Sequence, residues 1–186
     1  MATGKHVFVK DMAPSVSGRY LKFIPEGYKH TFLIRDPVRT IYSYRKSLLA
    51  QLKIAGQLES LGKNEETFDL ERDDRYFLPG CFTKEQHDLW KYVKENLDSN
   101  PVVIDADDLL TRPKETLSAY CSAVGLPYSD SLLKWDASTE VIKKIKSPGD
   151  RLLLDVDSYS KAVKSSEFLP PSKLPSRDEI SPDVIR

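Results

Sequence analysis

Apolar positions along this chain fall into short β-branched runs that alternate with longer stretches of helical spacing. His6–Lys10 (HVFVK), Thr31–Ile34 (TFLI) and Val102–Ala106 (VVIDA) are too short for helices and read as buried strands. Ile41, Tyr44, Leu48 and Leu52 recur at spacings of three and four, the spacing of one helix face. Leu89, Trp90, Val93 and Leu97 form a second such face, and Leu117, Tyr120, Cys121 and Val124 a third. Trp90 and Trp135 both read as packing residues on helices.

The ends of these elements carry their own chemistry. Asp36 can cap the first helix with Pro37 at its first position, where a missing N–H costs nothing. Thr83 stands where a cap is needed for the second helix, which Asn100-Pro101 closes. Thr111 and Pro113 open the third helix, and Gly125 follows it at the C′ position. Strands alternating with helices predict an α/β domain, with a three-layer parallel sheet of at least three strands and helices on both faces. Residues 1–150 read as that domain and 151–186 as a Pro-rich C-terminal tail. Within the domain, 56–82 is polar and acidic with no sustained period, the profile of a long insert or lid over the site.

Composition narrows the class. The chain has 186 residues, 40% hydrophobic and 30% charged, which suits one folded domain with a core. Lys plus Arg and Asp plus Glu both number 28, so no large basic face for nucleic acid is expected. No apolar stretch is long enough to span a membrane, and no leader-like run opens the chain, so a cytoplasmic protein is expected. Cys81 and Cys121 lack metal-type spacing and read as reduced thiols, Cys121 buried on a helix. Asp107 and Asp108 are adjacent and cannot both point to one ion from a strand end, so no metal is expected.

The chemistry concentrates at TFLIRDPVRTIYSYRK. Ligands of an open parallel sheet lie outside the carboxyl ends of its strands, where Arg35 follows TFLI. Ser43 lies two turns into the next helix, roughly 9 Å along its axis. Arg39 shares a helix face with Ser43. Guanidinium and hydroxyl both donate, and the guanidinium can hold two oxygens, which suits a phosphate. Taken alone, the same residues also fit an Arg35–Asp36 pair and a solvated serine.

The order of residues resembles a known family. FLIRDPVRTIYSYRK resembles the segment of sulfotransferases that binds the 3′-phosphate of 3′-phosphoadenosine-5′-phosphosulfate, with Arg35, Asp36, Pro37 and Ser43 matching in place. HVFVKDM resembles the family strand that ends in lysine. DADDLLTRPKETLSAYCSAVGLPYSDSLLKW resembles the later strand, Asp-Leu step, Pro-started helix, Gly-Leu-Pro turn and closing tryptophan. The resemblance covers His6 to Trp135, with a weaker extension at Ser165, Ser166 and Phe168. It implies a nucleotide-kinase-like (P-loop-type) fold, with Arg35, Ser43 and Arg39 on the donor or on its product, adenosine 3′,5′-bisphosphate. It places Lys10 beside the leaving phosphate and offers Asp11 as the nearest base. The acceptor it implies is a small molecule or glycan bearing a hydroxyl or amine.

The chain also departs from that pattern. The family's first strand and its Pro-Lys/Arg-Ser-Gly-Thr-like loop, which holds the 5′-phosphosulfate, have no counterpart, and Gly18-Arg19 is no substitute. Relative to the family, both termini look cut, and the fold is expected to be N-terminally truncated. No histidine follows Lys10, and His30 and His87 read as surface residues. Lys143, Lys144 and Lys146 read as a solvated helix face. Whether the chain is an enzyme is left open by these departures. The alternative expectation is a non-catalytic module that completes its sheet with a second copy or a complementing chain.

Overall fold

The computed structural model describes residues 6–16, 18–77, 82–138, 140 and 162–185. Cys81 and the run Lys143, Lys144 and Lys146 lie outside the described residues. Two of the three expected strands form: β1 (Thr31–Ile34) and β2 (Val102–Asp105). They pair in parallel, with Thr31 opposite Val102 and Ile34 opposite Asp105. The expected strand His6–Lys10 does not form, and Val7, Phe8 and Val9 are 66%, 75% and 73% exposed. Its β-branched composition favours extension, but no neighbour supplies the ladder that would turn extension into a strand.

Among the described residues, helices follow in the order α1 (Pro37–Ile54), α2 (Gln57–Ser60), α3 (Leu70–Asp73), α4 (Lys84–Asn96), α5 (Ala106–Thr111) and α6 (Pro113–Val124), with one more helical turn near the C-terminal end. α6 ends as its glycine requires. Gly125 has φ of 74°, a left-handed conformation, and the next amide, Leu126 N–H, returns to the Cys121 carbonyl at 2.8 Å. Cys121 is buried with a free thiol. Thr83 occupies the cap position of α4, but its side chain makes no capping bond.

The core is in two parts. Phe32 of β1 packs with Leu89 and Val93 of α4, and Val16, Leu21 and Ile24 close over them. The second part contains Leu49 of α1, Leu58, Phe68, Leu70 and Phe77, with Val184 from the far end of the chain. Segment 56–82, expected as a polar insert or lid, therefore supplies the larger share of a core. Its apolar residues follow no period, so they form no long element, yet Phe68 is 2% and Leu70 0% exposed.

The tail is likewise built into the domain. Lys134 and Glu167 form an antiparallel bridge, and Trp135 N–H donates to the Ser166 carbonyl at 2.9 Å. Trp135 is thus not on a helix, as expected, but in this extended pairing, edge-on to Phe168 at 5.3 Å. Further on, the turn Pro182–Ile185 docks against α1 and α3. Asp183 there pairs with Arg45 of α1 at 3.0 Å, with side chains only 3% and 11% exposed. Arg45 also donates to the carbonyls of Glu65 and Phe68 at 2.8 and 2.9 Å, and Asp183 accepts the Leu70 amide at 2.9 Å. Burial pushes the Asp183 carboxyl up, but the Ser181 side chain, the Leu70 amide and Arg45 together hold it below its ordinary value.

Removing one partner of such a pair leaves the other charge buried, at about 3–5 kcal/mol. Asp183→Ala is expected to lower stability by that amount in urea unfolding. A carboxyl depressed in the folded state stabilises fully above its unfolded value, and that share is lost as pH falls through the lowered one. Asp183→Asn should therefore flatten the acid limb of the stability–pH curve; an unchanged limb would show that the pair carries none of it.

Candidate functional site

The site is built outward from the turn between β1 and α1. Asp36 directs that turn: its carboxylate accepts the Arg39 amide at 2.9 Å, and its carbonyl accepts the Thr40 amide at 3.0 Å and the Thr40 hydroxyl at 2.9 Å. This is the cap expected from Asp36-Pro37, and it leaves Arg35 at the carboxyl end of β1. Beyond it, Thr40, Ser43, Ser47 and Gln51 make a polar stripe along α1. Leu49 and Arg45, on other parts of the same helix, are given to the core and the tail.

The stripe faces a cleft of about 1050 Å3. Four of the five residues singled out in the sequence line it: Lys10, Asp11, Arg35 and Ser43. They come from two separate segments, so their meeting is a tertiary fact. Among the described residues, neither the Arg35 side chain nor the Ser43 hydroxyl has a hydrogen-bond or ion-pair partner. Asp11 spends one carboxylate oxygen on the Met12 amide at 2.7 Å, a turn contact, and keeps the other uncommitted there.

Arg39 does not join them. Its guanidinium pairs with Asp107 at 3.5 Å and donates to the Ser172 carbonyl of the tail, and its side chain is 11% exposed. The i to i+4 spacing from Ser43 put both on one helix face in projection, but a long side chain follows its partners. Asp107 is thereby also accounted for as an ion-pair partner, and no metal-type cluster occurs among the described residues. Asp108 pairs with Arg112 on the surface at 2.6 Å.

Residues that the sequence did not single out as site residues complete the cleft. Tyr44 donates to Asp74 at 2.5 Å, and Asp74 also accepts the Tyr76 amide at 3.0 Å. Asp74 is buried, in a segment whose acidic composition gave no sign of it. Tyr44 also packs on Phe82 and Phe77, with ring centroids 4.9 and 6.0 Å away. Gln86 of α4 donates to the Leu33 carbonyl at 2.8 Å, satisfying one acceptor at the end of β1. Of these, only Tyr44 carried a signal, its place in the helical spacing of α1.

The histidines stand apart from the cleft. His87 is exposed on α4, as expected. His30 is not a surface residue: its ring is 13% exposed and 3.9 Å from Asp98, whose carboxylate accepts the His30 amide at 3.1 Å. That backbone bond, with the Asn100 amide and Lys29 adding to it, outweighs burial and holds the Asp98 carboxyl below its ordinary value. The group stands before β1, at the end of the strand away from Arg35. Trp90 is half-buried on α4, with Lys94 4.8 Å above its ring.

Tyr44→Phe should leave the buried Asp74 carboxylate without its hydroxyl donor. A hydrogen bond to a charged group contributes about 1.5–3 kcal/mol, so a loss of that size is expected in thermal unfolding. A change within a few tenths would show that the carboxylate finds water instead. No helix among the described residues is long and apolar enough to cross a membrane. Compared with known proteins, the chain matches no family model, no curated protein and no solved structure.

Proposed function

We propose that this chain is a sulfotransferase-like domain that binds the 3′-phosphate of 3′-phosphoadenosine-5′-phosphosulfate, or of its product adenosine 3′,5′-bisphosphate. The single observation that carries the reading is the convergence of Arg35 and Ser43 with Lys10 and Asp11 on one cleft at the carboxyl end of β1. Arg35 and Ser43 are the phosphate donors. Neither has a partner among the described residues, so binding need not break an existing pair. Lys10 neutralises charge on the leaving phosphate, and Asp11 takes the acceptor proton. Arg39 has no part in this reading, because Asp107 and the tail already hold it. In the same reading β1 and β2 belong to a three-layer, nucleotide-kinase-like sheet, and the protein works in the cytoplasm.

A second reading has its own observation. The two-stranded sheet leaves Leu33 56% and Val103 46% exposed, beside the unpaired and exposed Val7, Phe8 and Val9. Two strands alone are marginal in water, and an open edge invites another strand. In that reading the chain is a non-catalytic module that completes its sheet with a second copy. Sedimentation equilibrium should then give a mass that rises with concentration in the micromolar range. A constant monomer mass up to millimolar protein would remove it.

The first reading is tested by calorimetric titration of adenosine 3′,5′-bisphosphate. A charge-assisted contact contributes about 1.5–3 kcal/mol, so Arg35→Ala should weaken binding roughly ten- to a hundredfold. Ser43→Ala removes a neutral donor worth about 1 kcal/mol, about a fivefold loss. Arg39→Ala, which touches the site only through the placing of α1, should weaken binding far less than Arg35→Ala. A folded wild-type chain that gives no heat at millimolar ligand would overturn the reading.

A further inference from the structure

Residues 18–30 (GRYLKFIPEGYKH) line no part of the cleft. They begin with a 3-10 helix, Gly18–Phe23. Such a helix has three residues per turn, so positions i and i+3 eclipse and side chains fall into three rows. Leu21 and Ile24 form the inward row, half-buried against the cluster of Phe32, Leu89 and Val93. The Ile24 amide, bonded to the Leu21 carbonyl at 3.1 Å, carries the turn that far. Arg19 and Lys22 form a second row and Tyr20 and Phe23 a third, and all four are exposed.

The two outward rows lie against each other. The Arg19 guanidinium is 4.9 Å from the Tyr20 ring centroid and donates to its hydroxyl at 2.7 Å. Lys22 Nζ is 5.1 Å from the Phe23 ring centroid. Phe23 is nevertheless 69% and Tyr20 43% exposed. Single exposed rings are ordinary, but here two stand in register one turn apart, each beside a cation. Charge is equally one-sided: residues 18–30 hold Arg19, Lys22 and Lys29 against Glu26 alone, in a chain whose formal charge is zero. Lys29 is partly engaged by Asp98 at 3.8 Å, whereas Arg19 and Lys22 join no ion pair among the described residues.

We propose that the Gly18–Phe23 turn is a peripheral docking surface for an anionic lipid bilayer. Tyr20 and Phe23 seat at the headgroup level, and Arg19 and Lys22 meet the lipid phosphates. Charge complementarity and the paired rings both favour this occupant. So does size: a stable protein interface takes roughly 20–30 residues from each side, which a six-residue turn cannot supply. A lipid surface needs no matching shape. The inference goes beyond the donor reading and is independent of it, since no residue of the turn lines the cleft.

The test is sedimentation of the whole chain with vesicles of phosphatidylcholine alone, and with vesicles of phosphatidylcholine and phosphatidylserine at about two to one. One fourteen-carbon acyl chain binds with a constant of about 10⁴ M⁻¹, and two rings should not exceed it. Half-sedimentation on the mixed vesicles is therefore expected near millimolar lipid, with clearly weaker binding to pure phosphatidylcholine and a loss of the difference at high salt. Each unit of charge changes binding about fivefold, so Lys22→Glu, a change of two, should weaken it roughly twentyfold. Tyr20→Ala/Phe23→Ala should weaken it about tenfold or more. These side chains face solvent, and a wild-type urea midpoint checks that each variant is folded. Equal sedimentation with both vesicle types, or none with the mixed ones, would overturn the proposal. Wild-type partition of the folded double variant would do the same. Binding to soluble polyglutamate without vesicle binding would also overturn it, and assign the turn to an acidic protein.

Discussion

The arrangement depends on one buried ion pair, Arg45 with Asp183. Three parts of the chain end on it: α1 brings the guanidinium, residues 65–70 bring two carbonyls and an amide, and the C-terminal turn brings the carboxylate. Charges taken out of water this far need several hydrogen bonds to offset desolvation, and here both members have them. The same contact satisfies backbone groups of a segment that forms little regular structure of its own. Leu49, Leu58, Phe68, Leu70 and Val184 pack around it, so apolar burial and ion pairing reinforce each other. An apolar pair of equal volume could fill the space. It could not cap the loose carbonyls of Glu65 and Phe68.

From this node α1 acquires its division of labour. Arg45 and Leu49 fasten it to the core, Arg39 fastens it to Asp107 and the tail, and the Thr40–Ser43–Ser47–Gln51 stripe is left for the cleft. A helix held at two points along 18 residues can present a hydroxyl at a fixed place without contacting it directly. Tyr44, next to Ser43, adds a third fixture through Asp74 and the Phe77 and Phe82 rings. No arginine of α1 reaches the cleft, because both Arg39 and Arg45 are spent on the scaffold.

The elements legible in the sequence are those determined by near neighbours. Asp36-Pro37 starts α1, Gly125 ends α6, and TFLI and VVID form the strands, because caps, positive φ and β-branched runs act over a few residues. The turn of chain after TFLI brings Arg35 and Ser43 beside one opening. What was not legible depends on distant partners. Leu58, Phe68, Leu70 and Phe77 show no period, and their burial rests on a carboxylate more than a hundred residues away. The fate of Arg39 was set by Ser172, which no local pattern could reveal. His6–Lys10 fails in the opposite direction: its residue types suit a strand, but strand formation needs a partner that composition does not name.

The two proposed roles draw on the same apolar surface, and that sets how they must relate. Leu33 and Phe8 lie in the cleft wall and are also among the exposed residues that an added strand would cover. Burial contributes about 25 cal/mol per Å2 whichever occupant supplies it, so an apolar ligand and an added strand compete for one source of free energy. Arg35 and Ser43, in contrast, are polar ends that a strand does not use. Binding at one part is therefore linked negatively to association and binding at the other is not. As self-association rises with protein concentration, apparent affinity for an apolar ligand of that wall must fall. Affinity for a phosphate held by Arg35 and Ser43 stays level, and this difference separates an occupied cleft from a misfolded one.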